Sequence, residues 1–349
     1  MVTLTPWNVP TGLEYSGIDG KHKQIEIARC VIDSGVPGPL LVAASGAHAG
    51  SLELSAVELL GRLQEDFEKI ERGTVVILPM LNEPGFYQAT RGFELAGASL
   101  DDMNRAYPGN PNGNPAERLV NSVYEAVAEP LRAHRRAFPG EKRVLAEGHA
   151  DESCHPYTII DIALNGDREL EQACADYASA LGFPWVREGP REAYVKDGLD
   201  KSLTGAIVNV EGIPALTLEF DETDHHRLSG NEWGRSAVLA LATRLGIFSE
   251  KRFHEITGTA LPEPGKEHKY VNVHFRDLVQ TAAPAHEVFN VKLGTQVFKG
   301  QEIGQLCFPL TFERVPIIAS ETGLFLAKPT CLAYNPNPNE VAYRIAVPC

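Results

Sequence analysis

The chain has 349 residues, of which 43% are hydrophobic and 22% are charged, and this balance excludes a disordered, fibrous or coiled-coil protein. The formal net charge of −14 argues against a nucleic acid or an anionic membrane as partner, because binding phosphate groups requires a basic surface. The N-terminal segment lacks the features of a signal peptide, no apolar run is long enough to span a membrane, and the six cysteines are scattered. We therefore expect a cytoplasmic protein with free thiols.

The first two thirds of the chain alternate apolar runs with amphipathic segments. Four apolar runs predict buried strands, at residues 39–45, 74–79, 143–146 and 214–220. Apolar side chains recur at helical spacing in four further segments, at residues 52–67, 119–131, 170–181 and 238–245. We expect Pro130 to kink the second of these helices. The alternation predicts an α/β fold with a mixed sheet flanked by helices.

The composition and the hydrophobic pattern of the sequence change near residue 250. Residues 259–268 are rich in proline, glycine and charged side chains, which is typical of a linker. Beyond them we find short strand and turn patterns and no convincing helix. We predict an α/β domain over residues 1–258, a linker over 259–268 and a small all-β domain over 269–349.

Three of the predicted strands end in residues that can bind a metal. His48, His149 and Glu219 lie at or just beyond the ends of separate strands. Ligands of open α/β sheets bind outside the carboxyl ends of the strands, so these side chains can converge. Imidazole and carboxylate groups are zinc ligands, and a catalytic zinc keeps one position for water. A single histidine in such a place is more often a hydrogen-bonded structural residue.

A polar segment at residues 100–118 contains Asp102, Asn104 and Arg105. The planar guanidinium group of arginine matches a carboxylate with two parallel hydrogen bonds, so this segment is a candidate to bind a carboxylate. The alternative is a surface loop with a structural turn built on the aspartate side chain.

In this order, the segments resemble the succinylglutamate desuccinylase/aspartoacylase family of the zinc carboxypeptidase clan. The resemblance covers nearly the whole chain and includes a C-terminal β domain. It rests on the motifs GAHAG (46–50), LPMLNEPGFY (78–87), DMNRAYPG (102–109), EGH (147–149) and GIPALTLEF (212–220), and on VKLGTQVFKGQEIG followed by ETGLF.

The resemblance implies one zinc ion per chain, with His48 and His149 among its ligands. It also implies that Glu219 takes a proton from a water molecule held by zinc and passes it to the leaving amine of an amide. Asn104 and Arg105 would bind a substrate carboxylate, and Arg91 is a candidate to stabilise the oxyanion. Further residue roles implied by the resemblance include an orienting role for Glu147 next to a metal ligand.

The chain departs from the family at the first metal motif, His-x-x-Glu. Ser51 stands three residues after His48, and serine is a poor zinc ligand. Alternatively, the loop is two residues longer and Glu53 is the ligand. A capping box that begins at Ser55 favours this second arrangement, whereas Leu52 in the apolar stripe favours an earlier helix start. We favour Glu53 as the third metal ligand.

Two further polar runs leave alternatives open. Asp151, Glu152 and His155 follow His149 and are candidate substitute ligands. For His155, a substrate contact and an ordinary loop residue are the alternatives. Residues 221–226 follow the strand that ends in Glu219, and we expect them to be a solvated loop.

The leading hypothesis is therefore a zinc-dependent amide hydrolase that removes the acyl group from an N-acyl amino acid or a similar small amide. Its substrate would be a small molecule that bears a carboxylate, and the bond broken a non-peptide C–N bond. The alternatives are a carboxypeptidase-type peptide hydrolase and a metal-free binding or regulatory protein on the same fold. Exposed hairpin edges in the C-terminal region are compatible with a homo-oligomer.

Overall fold

A computed structural model describes most of the chain. The described residues are 2–7, 9, 13–16, 22–49, 54–95, 97–150, 153–220, 228–278, 286–308, 311–328 and 341–349.

The first half of the chain contains nine strands and three α-helices among its described residues. The strands are β1 (Val2–Leu4), β2 (Glu14–Ser16), β3 (His22–Gln24), β4 (Cys30–Asp33), β5 (Leu40–Ser45), β6 (Thr74–Leu78), β7 (Phe93–Leu95), β8 (Ala98–Leu100) and β9 (Arg143–His149). The helices are α1 (Leu54–Asp66), α2 (Glu83–Gln88) and α3 (Pro115–Ala137).

The central segment adds four strands and five α-helices to the described structure. The strands are β10 (Ser153–Cys154), β11 (Tyr157–Ile160), β12 (Trp185–Arg187) and β13 (Ala215–Glu219). The helices are α4 (Arg168–Ala180), α5 (Arg191–Lys196), α6 (Leu203–Ala206), α7 (Leu228–Leu245) and α8 (Glu250–Thr257).

The C-terminal segment is mainly β. Its described elements are β14 (Glu267–His274), α9 (Phe275–Leu278), β15 (His286–Phe289), β16 (Gln296–Val297), β17 (Glu302–Cys307), β18 (Arg314–Ile318), β19 (Gly323–Lys328) and β20 (Val341–Pro348). The expectation of no helix beyond residue 268 was wrong, because α9 forms there. A single helical turn of four residues is too short to produce a recognisable apolar period.

The main element of the fold is one mixed sheet of thirteen described strands. Twelve strands follow the order β1-β4-β6-β5-β9-β13-β11-β12-β14-β20-β19-β10, and β16 pairs with β19 off this path. The central strands β6, β5, β9 and β13 are parallel, whereas β11 is antiparallel to β13. The mixed α/β class predicted from the sequence is confirmed, and so are the four buried strands.

The predicted helices form where their apolar stripes are buried. α3 begins after the capping box of Asn114 and Glu117, in which each side chain accepts the other residue's backbone N–H. Its buried stripe includes Leu119, Val123 and Leu131, and the helix continues through Pro130 as far as Ala137.

The C-terminal strands extend the main sheet. β14 begins at Glu267, within the segment predicted as a linker, and runs parallel to β12. β14 also pairs along its length with β20. A separate apolar cluster lies in this region, centred on Val297, Ile303 and Phe325. The domain boundaries predicted from the sequence stay a prediction.

None of the described helices is both long enough and apolar enough to span a membrane. Cys331 lies outside the described residues, and the cysteines that are described have free thiols: Cys30, Cys154, Cys174, Cys307 and Cys349.

The buried face of α1 offers a test of the packing. Leu63 is fully buried, whereas Glu65 on the same helix is exposed. We expect Leu63→Ala to lower the free energy of unfolding by about 2–5 kcal/mol, because it removes buried methyl groups and leaves a cavity. Glu65→Ala, the matched control, should change it by less than about 0.5 kcal/mol. Urea denaturation measures both values, and equal losses would contradict the placement of α1.

Candidate active site

Strand pairing brings the predicted metal-binding residues together. β5 and β9 are parallel, and Ser45 lies opposite Gly148, so the chain leaves both strands at the same edge of the sheet. β9 and β13 are also parallel, and His149 lies directly opposite Glu219. The two imidazole rings, of His48 and His149, are 5.0 Å apart between centroids, and both side chains are buried.

His48 belongs to an ionic cluster with Asp102 and Arg91. Its Nε2 atom lies 3.1 Å from Oδ1 of Asp102 and 2.8 Å from Nη2 of Arg91. The guanidinium group of Arg91 donates two hydrogen bonds to Oδ2 of Asp102, of 3.3 and 3.1 Å. Burial alone would raise the pKa of Asp102, but His48 and Arg91 hold that pKa well below its usual range. Asp102 is therefore a carboxylate.

His149 also faces a carboxyl group. Its Nε2 atom lies 3.2 Å from Oε1 of Glu147, an ion-pair distance without hydrogen-bond geometry. Glu147 is fully buried, and neither of its oxygens accepts a hydrogen bond among the described residues. The amide nitrogen Nδ2 of Asn104 lies 3.3 Å from the same Nε2 atom of His149. Each histidine thus has a carboxyl group beside its Nε2 atom.

The segment that follows Asp102 forms the expected side-chain turn. Asp102 accepts the backbone N–H of Asn104 at 2.8 Å, which caps the short 3₁₀ helix Met103–Arg105. Oδ1 of Asn104 accepts the backbone N–H of Leu203 at 2.7 Å, so the buried amide is held beside His149. Arg105 donates to the carbonyl oxygens of Asn104 and Asp197, at 2.7 and 3.1 Å.

These side chains line one cavity of about 990 Å³. Six of the seven site residues predicted from the sequence border it: His48, Arg91, Asn104, Arg105, His149 and Glu219. The seventh, Glu53, lies outside the described residues, as do Ser51, Asp151, Glu152 and residues 221–227. The ring of His155 packs against Gly294, and His155 is not among the residues that line the cavity.

The floor of the cavity is one face of the sheet. Glu219 and Thr217 of β13 lie opposite Tyr157 and Ile159 of β11 in the strand register. All four residues line the cavity, which continues past β11 to Asp161. The floor therefore runs from the histidines toward a second polar end.

Two acidic residues at that second end were missed by sequence reasoning. Asp161 directly follows β11 and Glu188 directly follows β12, and both line the cavity. A polar residue after a short apolar strand was the available signal, and the same signal had identified His149. It was missed because β11 and β12 are too short to stand out as apolar runs.

Asp161 is an acid in an unfavourable environment. It is 3% exposed, and its Oδ1 atom accepts the hydroxyl hydrogen of Tyr194 at 2.8 Å. Burial raises the pKa of Asp161 to about 7, against the opposing effect of that hydrogen bond. Burial also raises the pKa of Glu188, against the opposing charges of Arg344 and Arg105.

Strands of the C-terminal segment form another wall of the cavity. Tyr270 and Asn272 of β14, Lys328 of β19 and Arg344 of β20 all line it. Arg344 donates to the hydroxyl of Tyr157 and to Oδ1 of Asn272, both at 3.2 Å. The sequence suggested that this region could cover the cleft, but no pattern in it pointed to these four residues.

A family model of the succinylglutamate desuccinylase/aspartoacylase catalytic domain matches residues 37–221, which is more than half of the chain. The chain belongs to the succinylglutamate desuccinylase/aspartoacylase family. This is an enzyme family of amide hydrolases, and the resemblance inferred from the motifs is confirmed. All seven predicted site residues fall within the matched range.

Solved structures named for this family share the fold over nearly the whole chain. A succinylglutamate desuccinylase/aspartoacylase from Rhodobacter sphaeroides is 16% identical, with coverage of 98% of this chain and 97% of that one and a TM-score of 0.70. An aspartoacylase family protein from Mesorhizobium loti is 19% identical, with coverage of 100% and 95% and a TM-score of 0.70.

A third similar structure is the product-bound ectoine utilization protein EutE from Ruegeria pomeroyi. It is 16% identical, with coverage of 99% of this chain and 98% of that one and a TM-score of 0.67. At such identities the likeness shows the fold alone. No curated protein matches the chain.

Two of the three predicted zinc ligands, His48 and His149, lie in the described structure. Among the described residues, no group of three or more histidine, cysteine, aspartate or glutamate side chains is placed to hold a metal ion. The two imidazoles of His48 and His149 suit zinc, and each has a carboxyl group at its Nε2 atom, as metal-binding histidines usually do. The third predicted ligand, Glu53, lies in the segment 50–53 outside the described structure.

The raised pKa of Asp161 predicts a pH-dependent stability. Between the ordinary value of 3.8 and the native value of about 7, the native protein holds a proton that the unfolded chain releases. Stability therefore falls as the pH rises through this window. Asparagine has no carboxyl group to titrate, so we expect the stability of Asp161→Asn to rise relative to that of the wild type as the pH increases from about 4 to about 7.

The measurement is urea denaturation at several pH values. Glu192→Gln, at an exposed acid of α5, is the matched control and should keep a constant difference from the wild type. A constant difference for Asp161→Asn would mean that Asp161 ionises normally in the native state.

Proposed function

We propose that this protein is a zinc-dependent amide hydrolase that removes the acyl group from an N-acyl amino acid or a similar small amide. The observation that supports the proposal is the convergence of His48, His149 and Glu219 in one cavity beside Arg91 and Arg105. Membership of a family of desuccinylases and aspartoacylases supports the same reaction class.

His48, His149 and Glu53 would hold the zinc ion. When bound, zinc supplies a Lewis acid that activates water and polarises the amide carbonyl group. The carboxyl groups of Asp102 and Glu147 orient the two imidazoles, since each lies beside an Nε2 atom. Arg91 donates two hydrogen bonds to Asp102 and so fixes this carboxylate beside His48.

Glu219 acts as general base and then general acid. It lies at the end of β13, directly opposite His149, and lines the cavity. Its carboxylate takes a proton from the attacking water and delivers that proton to the leaving amine.

The remaining charged residues bind the substrate. Arg91 lies 2.8 Å from His48, close enough to the reaction centre to stabilise negative charge on the carbonyl oxygen. Arg105 lines the cavity and binds a substrate carboxylate. Asn104 lies between Arg105 and His149 and contacts both.

The shape of the cavity favours a small substrate. Its volume of about 990 Å³ matches a small-molecule site, and strands β14, β19 and β20 form one of its walls. A long peptide would have to cross that wall, so the geometry favours a small amide over a polypeptide.

The role of Glu219 has a direct test. We expect Glu219→Gln to lower kcat for hydrolysis of N-acetyl and N-succinyl amino acids by about 10²–10⁴-fold, because the amide cannot accept the proton. Zinc content should stay at the wild-type level. Glu94→Gln, at an exposed glutamate of β7, is the control. Retained activity in Glu219→Gln would refute the assigned mechanism.

Metal content tests the ligand set. Elemental mass spectrometry of the purified chain should find about one zinc per chain, as expected for a catalytic zinc site. Glu53→Ala should lose most of it, and Glu147→Gln should weaken zinc binding by about 10–100-fold, because the partner of His149 is changed.

Two results would contradict this ligand set. Wild-type levels of zinc in Glu53→Ala would show that another residue completes the site. A chain that neither contains nor takes up zinc would favour the metal-free binding protein.

A further inference from the structure

We propose that Asp161 and Glu188 form an acidic end of the active-site cavity that binds a cationic group of the substrate. The substrate is then an N-acyl compound with an ammonium group several carbon atoms away from the amide. This inference rests on the proposed amide hydrolase function and narrows its substrate class.

The sheet places the two acids side by side. β11 and β12 are parallel neighbours in which Ile160 lies opposite Arg187, and the acids are the next residues of the two strands. The backbone N–H of Glu188 donates to the carbonyl oxygen of Ile160 at 2.9 Å, so the pairing continues to this point. Neighbouring strands are about 4.8 Å apart, so the two carboxyl groups arise close together.

Asp161 has an unused acceptor at this end of the cavity. The residue is 3% exposed, and Oδ1 is occupied by the hydroxyl of Tyr194. Oδ2 is buried and accepts no hydrogen bond among the described residues. A buried acceptor without a partner costs free energy, which a donor from a ligand would recover.

Glu188 also lacks a cationic partner among the described residues, since it forms no ion pair there. The nearest cations act on it from a distance and have other partners. Arg344 donates to Tyr157 and Asn272, and Arg105 donates to two backbone carbonyl oxygens. Burial is the main cause of the raised pKa values of Asp161 and Glu188, which fits two acids that form no ion pair among the described residues.

The distance to the reaction centre sets the length of the substrate. Tyr157 lies opposite Glu219, and Asp161 is four residues further along the same strand direction. At about 3.3 Å per residue, these backbone positions are about 13 Å apart. A cationic group at the acidic end therefore belongs to an extended chain, such as the side chain of a diamino acid.

Two adjacent carboxyl groups would repel a second substrate carboxylate at this end. They suit an ammonium group, whose three N–H donors can reach both acids. A neutral substrate that accepts a hydrogen bond from protonated Asp161 is the competing arrangement, and it would not depend on Glu188.

The test compares substrates that differ in one group. The probes are Nα-acetyl and Nα-succinyl derivatives of lysine, of norleucine, which lacks only the amine, and of glutamate. We expect kcat/KM of the zinc-loaded enzyme to be highest for the lysine compounds, by about 10–100-fold over norleucine, as for a charged hydrogen bond. Glu188→Gln and Asp161→Asn should lower this ratio about 10-fold, and Glu192→Gln on exposed α5 should keep it.

Calorimetry of the same compounds, with Glu219→Gln to prevent turnover, tests the acidic end independently of hydrolysis. If the lysine compound binds more tightly than the norleucine compound, and Glu188→Gln removes this difference, the result supports the acidic end even if no probe is hydrolysed. An absence of turnover would then count only against the proposed hydrolase function. Equal or tighter binding of the norleucine or glutamate compound, or a ratio unchanged in both acid variants, would overturn the acidic end. Thermal unfolding confirms that each variant is folded.

Discussion

The parallel pairing of β5, β9 and β13 is the constraint on which the site depends. Parallel neighbours deliver their carboxyl ends to one edge of the sheet, so residues far apart in the chain become adjacent. Ser45 faces Gly148, and His149 faces Glu219. A slip of one residue in either register would turn every side chain of that strand to the other face. The burial of these strands in the main core therefore also determines the geometry of the site.

Charge is arranged unequally along the cavity. At the histidine end, Asp102 is compensated by Arg91 and His48 and stays ionised. At the other end, neither Asp161 nor Glu188 forms an ion pair within the described part of the chain, and burial raises the pKa of both. A carboxyl group in a low-dielectric site needs a partner to remain charged. The two ends of the cavity therefore differ in the ligand charge that they favour.

The C-terminal strands have two physical roles. β14 and β20 extend the main sheet beyond β12, which shields the β12 edge that would otherwise be open to pairing. They also carry Tyr270, Asn272 and Arg344 to the cavity, where Arg344 contacts Tyr157 of β11. The wall of the cavity is therefore built from residues nearly two hundred positions apart, as the Tyr157–Arg344 contact shows.

The sequence alone determined the α/β class, the four main strands and the residues at their ends, because buried parallel strands are continuous apolar runs and polar residues mark where they stop. It could not place Arg91 beside His48, since that 2.8 Å contact depends on how two loops fold back. Nor could it reveal Arg344, because β20 reaches the site by pairing with β14. Asp161 was missed because β11, with four residues, is too short to stand out as an apolar run. Local composition determines elements, whereas long-range register decides which side chains share a cavity.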